Sequence, residues 1–396
     1  MRAAPERPGM GLRGCGRPLS LEHDVALLDL DGVVYVGREP IPHVAHALRT
    51  ARSDGMRVAF VTNNALRTPA EVAEHLESLG VPAVPDEVVT SSQAAAALLV
   101  ERLPAGAAVM VTGGRGLLQA VRAAGFCEVA SADDEPAAVV QGLDPEITYQ
   151  RLAEAALAVR RGAFWVATNR DLTLPTPRGL LPGNGALVAL VAAATGQTPE
   201  VAGKPERALH AESIRRSHAS RPLVVGDRLD TDIEAAVRWQ TPSMLVLTGV
   251  TSSLHLLWAA PHRRPDYLSA DLRGLIRAHP AVGPVGGGWR CGGWSARVEH
   301  GWLRLSRPSG GGQPSGEGGA VYNAGGPDSP AGPGDPIAAG GPDVTDDPNV
   351  TDGLNALRAA CMAVWHAPDG MTLEGIDNPP AASRLPAGPV IGPAPA

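Results

Sequence analysis

The stretch "VALLDLDGVVYVG", residues 25–37, shows how the chain begins to fold. Its apolar letters are typical of a strand buried on both faces of a parallel sheet. Two carboxylates, Asp29 and Asp31, interrupt that apolar run and are followed at once by Gly32. Burying an unpaired carboxylate is costly, or raises its pKa until it is neutral. Because ligands of a doubly wound sheet bind at the carboxyl ends of its strands, the two acids predict a site there.

Further short apolar runs alternate with helical patterns as far as about residue 277. This alternation predicts an α/β fold built on a Rossmann-like, doubly wound parallel sheet. The strand candidates are residues 25–30, 57–62, 107–112, 137–142, 163–168, 222–227 and 243–248. Residues 69–80 and 148–162 have the pattern of amphipathic helices. The first of them starts at Pro69, which suits a first helical turn, and the second ends in a glycine.

The composition excludes several classes of protein. The 396 residues are 44% hydrophobic, which is globular, but 47 Gly and 37 Pro are too many for one compact domain. A net charge of −7 without a run of basic residues argues against a nucleic-acid partner. Four scattered cysteines without a CxxC pair indicate the reducing cytoplasm. We expect no signal peptide and no membrane span, since no window approaches about 18 apolar residues.

Polar groups follow other predicted strands as well. Thr62 and Asn63 end the second strand, and Asp227 ends a later one, with Asp230 and Asp232 just behind it. Clustered carboxylates repel one another unless a cation neutralises them, and oxygen ligands favour Mg²⁺. Of the 34 lysines and arginines, one is a lysine, at position 204. It precedes a helix that leads to the strand ending at Asp227.

Four segments, "DLDGVVYVG", "FVTNN", "GKPE" and "GDRLDTD", stand in a fixed order along the chain. They resemble the four motifs of the haloacid dehalogenase (HAD) superfamily of phosphatases. The insertion between the second and third motifs resembles the large α/β cap of its class IIA, p-nitrophenyl-phosphatase-like members. A further resemblance is to the actinobacterial glycerol 3-phosphate phosphatases. These join a capped core to a short region like a truncated acetyltransferase (GNAT) fold.

The resemblance and the composition together imply a domain order. We expect a core in two parts around a cap, then a tryptophan-rich hairpin, a Gly- and Pro-rich linker and a last helix. The linker and both ends are expected to be disordered because they cannot bury enough apolar surface. The ranges are 1–19 for the disordered N-terminus, 20–104 and 199–280 for the core, 105–198 for the cap, 281–306 for the hairpin, 307–350 for the linker, 351–367 for the helix and 368–396 for the tail.

The resemblance also implies catalytic roles. Asp29 is the nucleophile that becomes an aspartyl-phosphate, while Asp31 protonates the leaving alkoxide and then activates water. Mg²⁺ is held by Asp29, the backbone carbonyl of Asp31, and Asp227. Lys204 neutralises charge on the nucleophile and the phosphate. Asp232 supports Lys204 or a metal-bound water, with a helix cap as its alternative role.

The same resemblance implies a set of substrate contacts. Thr62 and the Asn63 amide bind phosphoryl oxygens, although a purely turn-forming role is open for both. On the cap, Asn169 and Asp171 follow a strand and reach towards the alcohol portion of the substrate, with a plain loop as the alternative. Asp230 is expected to be solvated.

The expected function is that of a Mg²⁺-dependent phosphatase acting on a small phosphomonoester, most specifically glycerol 3-phosphate. Sugar phosphates, nucleotides and pyridoxal phosphate are alternative substrates. A non-catalytic binding protein of the same fold would have lost the nucleophile or the metal acid, but Asp29 and Asp227 are both present. The expected partner is the small substrate, without nucleic acid or membrane, and the cap is a candidate surface for forming a homo-oligomer.

Overall fold

The computed structural model describes residues 11–176, 178–299, 302–307 and 348–367. Its strands, β1 to β19 in chain order, are Val25–Leu28, Tyr35–Val36, Glu39–Pro40, Arg57–Thr62, Val88–Thr90, Ala108–Thr112, Cys127–Val129, Ala138–Gln141, Phe164–Ala167, Thr173–Thr176, Gly179–Pro182, Glu200–Val201, Pro222–Gly226, Ser243–Val246, Tyr267–Ser269, Val282–Val285, Gly288–Cys291, Trp294–Glu299 and Trp302–Ser306. Its α-helices, α1 to α10, are Val44–Ser53, Pro69–Ser78, Ser91–Arg102, Arg115–Ala123, Tyr149–Arg160, Asn184–Thr195, Arg207–Ser217, Glu234–Arg238, Ser253–Leu257 and Pro348–Trp365.

A six-stranded parallel sheet in the order β15-β14-β13-β1-β4-β5 forms the core, which confirms the predicted α/β fold class. All four residues of β1 are buried because helices cover both faces of the sheet. Ala26 and Leu28 pack in one apolar cluster, while Val25 and Leu27 pack in another on the opposite face. The neighbours of β1 are β4 and β13, so the carboxyl ends of these three strands meet at one edge.

The insertion forms a second parallel sheet in the order β12-β9-β8-β6-β7. Its last strand lies beyond residue 198, where the sequence suggested that the cap ends, because Glu200 and Val201 pair with Val166 and Ala167. Side chains from both parallel sheets, among them Leu27 and Val109, share one apolar cluster with α3 and α4. The cap and the core are therefore packed together through these helices.

The two helices proposed from the sequence form close to the expected places. Thr68 accepts a hydrogen bond from the backbone N–H of Glu71, whose carboxylate accepts one from the Thr68 N–H, so the two residues form a capping box. Pro69 follows as the first helical residue, where its missing N–H costs no hydrogen bond. Thr148 caps α5 by accepting a hydrogen bond from the Arg151 N–H.

The tryptophan-rich region forms four antiparallel strands, β16 to β19, where the sequence suggested a hairpin. The extra turns depend on glycine, since Gly286, Gly287 and Gly292 all have positive φ and join successive strands. Helix α10 packs across this sheet and also against α9 and β15 of the core. The expected linker and tail lie outside the described residues, except for Arg307 and Pro348–Val350.

Residues 11–19, part of the 1–19 segment that was expected to be disordered, are held by contacts with distant parts of the chain, and residues 1–10 lie outside the described residues. Cys15 and His279 exchange backbone hydrogen bonds of 2.8 and 2.7 Å. The guanidinium of Arg13 forms an ion pair of 2.9 Å with the buried carboxylate of Asp266. These long-range partners hold the segment against the core. Among the helices of the described ranges, none combines the length and the hydropathy of a membrane-spanning segment.

Candidate active site

Three neighbouring strands deliver their polar residues to one edge of the core sheet. Asp29 follows β1, and its backbone N–H donates to the carbonyl of Val225 at 2.9 Å. Asp227 follows β13 directly, and Thr62 is the last residue of β4. Strand order therefore brings together acids and hydrogen-bonding groups that are far apart in sequence.

Lys204 is held between two of these acids. Its Nζ lies 2.5 Å from Asp29 Oδ1, 2.7 Å from Asp232 Oδ1 and 3.3 Å from the carbonyl of Val61. Only 9% of its side chain is exposed. Burial alone lowers the pKa of Lys204, but the carboxylates of Asp232 and Asp29 outweigh that effect and raise it. The lysine is therefore a fixed positive charge.

The carboxylates beside Lys204 fit a divalent cation. Oxygen atoms of Asp29, Asp227 and Asp232 all lie within 4.8 Å of one another. Asp227 Oδ2 accepts a hydrogen bond of 2.7 Å from the Val250 N–H. Its Oδ1 is buried and has no hydrogen-bond partner among the residues that the structure describes. A buried orphan oxygen in an all-oxygen cluster fits Mg²⁺.

Burial and neighbouring negative charge raise the pKa values of Asp227 and Asp29 in this cluster. Burial, with the nearby charge of Asp232, raises the pKa of Asp227 to about 7. Burial also raises the pKa of Asp29, and the charge of Lys204 opposes it while Asp232 and Asp227 add to it. Without a further cation, Asp29 and Asp227 therefore hold protons more tightly than free aspartate does.

Two glycines are required for the acids to come this close. Gly32 has a φ of +79°, and a Cβ at this position would lie 2.5 Å from Asp227 Oδ2. A Cβ at Gly249 would also collide with the Asp227 carboxylate. The glycine after the second acid in the opening motif therefore provides the turn and the space that Asp227 needs.

Asp31 lies at the mouth of the site, two residues beyond Asp29. It starts the turn that leads into the β2–β3 hairpin, in which the Gly32 N–H donates to the Tyr35 carbonyl at 2.8 Å. Its side chain is exposed to solvent, but the neighbouring protein atoms still partly desolvate its carboxyl group. This desolvation raises the pKa of Asp31, against the lowering effect of Lys204 and Arg67. A raised pKa suits a group that gives and takes a proton.

The polar groups after β4 are engaged with one another. Thr62 Oγ1 accepts a hydrogen bond from the Asn64 N–H at 3.0 Å, as in a turn. Asn63 Oδ1 accepts one from the backbone N–H of Lys204 at 2.8 Å. The Asn63 amide donates to Asp171 Oδ2 at 3.3 Å. Asn63 therefore links the core strand, the lysine loop and the cap.

The cap residues singled out in the sequence reach this edge. The side-chain amide of Asn169 donates to the Asn63 carbonyl at 2.8 Å, and only 5% of Asn169 is exposed. The Asp171 carboxyl group accepts a hydrogen bond from the Asn63 amide. Burial raises the pKa of Asp171, and the positive charge of Arg228 opposes that effect. Asp230 pairs with Arg228 at 2.9 Å and is 49% exposed, away from the carboxylate cluster.

The loop after β14 is a part of the site that sequence reasoning missed. Besides the bond from Val250, the Thr251 N–H donates to the Asp227 carbonyl at 3.3 Å, and Thr248 Oγ1 donates to the Gly32 carbonyl at 2.5 Å. The signal available was "LTGVTSS", a glycine turn at the end of a predicted strand next to the acid-bearing one. A turn motif does not reveal which backbone N–H points at a carboxylate.

Comparison with known proteins agrees with this geometry. Residues 26–127 match the family described as haloacid dehalogenase-like hydrolase, and residues 201–275 match a HAD-hydrolase-like family. D-glycerol 3-phosphate phosphatase of Mycobacterium tuberculosis is 51% identical over 259 residues, which are 65% of this chain and 72% of that protein. An acid sugar phosphatase of Staphylococcus saprophyticus is 38% identical over 256 residues, covering 63% of this chain and 96% of that protein.

A solved structure extends the likeness to most of the chain. The crystal structure of a glycerol phosphate phosphatase from M. tuberculosis in complex with magnesium superposes with a TM-score of 0.73 at 42% identity. The match covers 89% of this chain and 93% of that one. The order of the strands, the acids at their ends and these relatives lead to one conclusion: the chain belongs to the haloacid dehalogenase-like hydrolases.

Proposed function

We propose that the protein is a Mg²⁺-dependent phosphatase that hydrolyses glycerol 3-phosphate to glycerol and phosphate. The observation that carries the proposal is Lys204, held at 2.5 Å from Asp29 and 2.7 Å from Asp232 beside the orphan oxygen of Asp227. This arrangement combines a nucleophile, a fixed cation and a site for a second cation, as phosphoryl transfer requires. The M. tuberculosis relatives support the choice of substrate.

In the proposed reaction, a carboxylate oxygen of Asp29 attacks phosphorus, and the bond from phosphorus to the alcohol oxygen breaks. Asp31 gives its proton to the leaving alkoxide. It then takes a proton from water, which attacks the aspartyl-phosphate, so that phosphate leaves and Asp29 is restored. Lys204 neutralises charge throughout, with Asp232 holding it in place. When bound by Asp29, Asp227 and the carbonyl of Asp31, Mg²⁺ supplies Lewis-acid stabilisation of phosphoryl charge.

The substrate contacts form a second part of the proposal. In this proposal Thr62 and Asn63, at the end of β4, bind the phosphoryl oxygens, and Asp171 contacts the alcohol portion. The side-chain amide of Asn169 donates to the backbone carbonyl of Asn63. We therefore propose that Asn169 orients Asn63, in addition to lining the substrate pocket.

A panel of phosphomonoesters tests the proposal. Purified protein with Mg²⁺ should release phosphate from glycerol 3-phosphate with a higher kcat/KM than from sugar phosphates, nucleotides or pyridoxal phosphate. If a sugar phosphate is the best substrate, the second candidate function is supported instead, that of a sugar phosphatase like the S. saprophyticus relative. Absence of release from every ester would favour the non-catalytic alternative and contradict the proposal.

The nucleophile is tested by Asp29→Asn. The amide is nearly isosteric with the carboxylate but cannot attack phosphorus, so turnover should disappear while the protein stays folded. Asp86→Asn is the matched control, because Asp86 is exposed just before β5, at the opposite end of the sheet. Substantial activity of Asp29→Asn with saturating Mg²⁺ would show that Asp29 is not the nucleophile.

Three accompanying features belong to the same proposal. The four cysteines are free, which supports a reducing, cytoplasmic location.

Self-association through the cap is supported by exposed leucines on its β10–β11 hairpin, where Leu180 is 69% and Leu181 is 45% exposed. The sheet β16 to β19 with α10 is the region to compare with an acetyltransferase fold. Light scattering tests the self-association.

A further inference from the structure

The loop that follows β14 orients the proposed metal-binding acid. The Val250 N–H fixes Asp227 Oδ2 at 2.7 Å, and the Thr251 N–H binds the backbone of the same residue. Because Oδ2 of Asp227 is held by this loop, Oδ1 is left without a partner among the described residues, in a carboxylate that lies beside those of Asp29 and Asp232. The position of the loop therefore sets the position of the free oxygen.

Helix α9 begins directly after this loop and is only five residues long. Ser252 caps its first turn by accepting a hydrogen bond from the His255 N–H at 3.2 Å. An isolated helix of this length is not stable in water, so its stability must come from tertiary contacts. Its last carbonyls have no partners within the helix and need them from elsewhere.

Trp365, on the last turn of α10, supplies those partners. Its indole N–H lies 3.3 Å from the Leu256 carbonyl and 3.2 Å from the Leu257 carbonyl. The indole is itself fixed, since the Arg264 guanidinium lies 5.1 Å from its ring centroid and also donates to the Trp365 carbonyl at 3.3 Å. Trp365 is 7% exposed.

The apolar face of α10 reaches the same part of the core. Leu357 and Cys361 lie in one cluster with Leu256 and with Ile233, the residue after Asp232. This cluster therefore joins α10 both to the segment that follows Asp232 and to helix α9. The carboxy-terminal helix thus reaches the site through α9, which follows the loop bonded to Asp227, and through the segment after Asp232.

We infer that Trp365 is a positioning residue, through which α10 holds α9 and the 248–252 loop and so sets the affinity of the site for Mg²⁺. The inference rests on the proposed function in that it takes Asp227 as a metal ligand. A purely structural tryptophan would change the melting temperature alone. A positioning residue changes local opening of the loop and the Mg²⁺ concentration needed for half-saturation, and leaves kcat at saturating Mg²⁺ intact.

The test compares Trp365→Phe with Trp294→Phe in the full chain. Both variants lose an indole N–H from the same carboxy-terminal unit, but that of Trp294 has no hydrogen-bond partner among the described residues. Hydrogen exchange of peptides covering 247–257 reports loop opening. Half-saturation by Mg²⁺ is measured twice, from the Mg²⁺-dependent rise in melting temperature and from phosphate release.

We expect Trp365→Phe to speed exchange in 247–257 and to raise the half-saturating Mg²⁺ concentration roughly fivefold, the factor for one net hydrogen bond. Trp294→Phe should match the wild type. If Trp365→Phe does not fold, Arg264→Gln decides the question, because it releases the indole without removing it. Unchanged exchange and unchanged half-saturation in the folded variant overturn the inference. Lack of phosphate release by the wild type would count against the proposed function, while exchange and melting still test the inference.

Discussion

Lys204 shows how far the identity of one side chain matters in this site. Its ammonium contacts Asp29, Asp232 and a backbone carbonyl with 9% of the side chain exposed. Arginine keeps the charge, but its planar fork is wider and cannot occupy the same point without displacing a neighbour. We therefore predict that Lys204→Arg loses roughly 10²-fold or more in turnover, as for removal of one preorganised electrostatic group.

The measurement is turnover at saturating substrate and Mg²⁺, together with the melting temperature. The control is Arg102→Lys, an exchange of the same two side chains in a half-exposed ion pair with Glu200. Activity of Lys204→Arg equal to that of the control would place the lysine outside the chemistry.

Asp227 predicts a pH dependence of stability in the metal-free protein. Its pKa is raised from 3.8 to about 7 on folding, first by burial. Between these values the folded state holds a proton that the unfolded state has lost, so stability is full below the lower value and is lost as pH rises through the upper one. Asp227→Asn should remove this loss and, in chelator at pH 8, melt at a higher temperature than the wild type.

Thermal melts at pH 5 and pH 8, with chelator and with Mg²⁺, check this. Mg²⁺ should raise the melting temperature of the wild type at pH 8 and leave that of Asp227→Asn nearly unchanged. A variant that melts below the wild type in chelator at pH 8 contradicts the proposed crowding of carboxylates.

The roles of individual side chains were only partly open to prediction. Asp29 and Asp227 meet as expected because strand ends in a parallel sheet share an edge, and Lys204 reaches them from the segment between β12 and α7. The engagement of Asn63 with Lys204 and Asp171 was not foreseen. It depends on the side-chain rotamer and on the cap's approach, neither of which leaves a periodic pattern in the chain.

Among the elements, the long buried strands were predictable and the short edge strands were not. Residues 57–62 were proposed as a strand and form one with the same bounds. Val88–Thr90 and Cys127–Val129 were missed because three residues are too few to show a period. Both lie at sheet edges, where one side of the strand makes no ladder. The four-stranded carboxy-terminal sheet was likewise hidden by its two-residue glycine turns.

Helix α10 carries a prediction about truncation. Deleting residues 307–396 removes no proposed catalytic group, so turnover at saturating Mg²⁺ should persist. Solubility should fall, since Leu256 and Leu268 lose their cover and form an exposed apolar patch. Deletion of 368–396 alone is the control, because it leaves α10 in place. A folded, soluble truncation at 307 without activity would show that the helix completes the chemistry.

Across the whole molecule, Asn169 joins the cap to the core. Its amide donates to the Asn63 carbonyl, so Asn169→Ala should disturb the phosphate end of the pocket more than the alcohol end. We expect kcat/KM to fall roughly tenfold for both glycerol 3-phosphate and p-nitrophenyl phosphate, as for a misplaced binding group. The ratio of the two values is the internal control. A loss confined to glycerol 3-phosphate would instead mean that Asn169 reads the alcohol.

The two ends of the described chain meet, and this orders events during synthesis. The Leu12 N–H lies 3.2 Å from the Met362 sulfur, 350 residues later. At about 5–20 residues per second, the ribosome needs roughly 20 to 70 s to produce the partner of that early segment. The apolar surface formed by residues 233–268 is bare on the nascent chain for the last part of this time, the roughly 100 residues between Leu268 and the end of α10. Chaperones therefore have a defined interval in which to protect it, which closes only when α10 emerges from the exit tunnel.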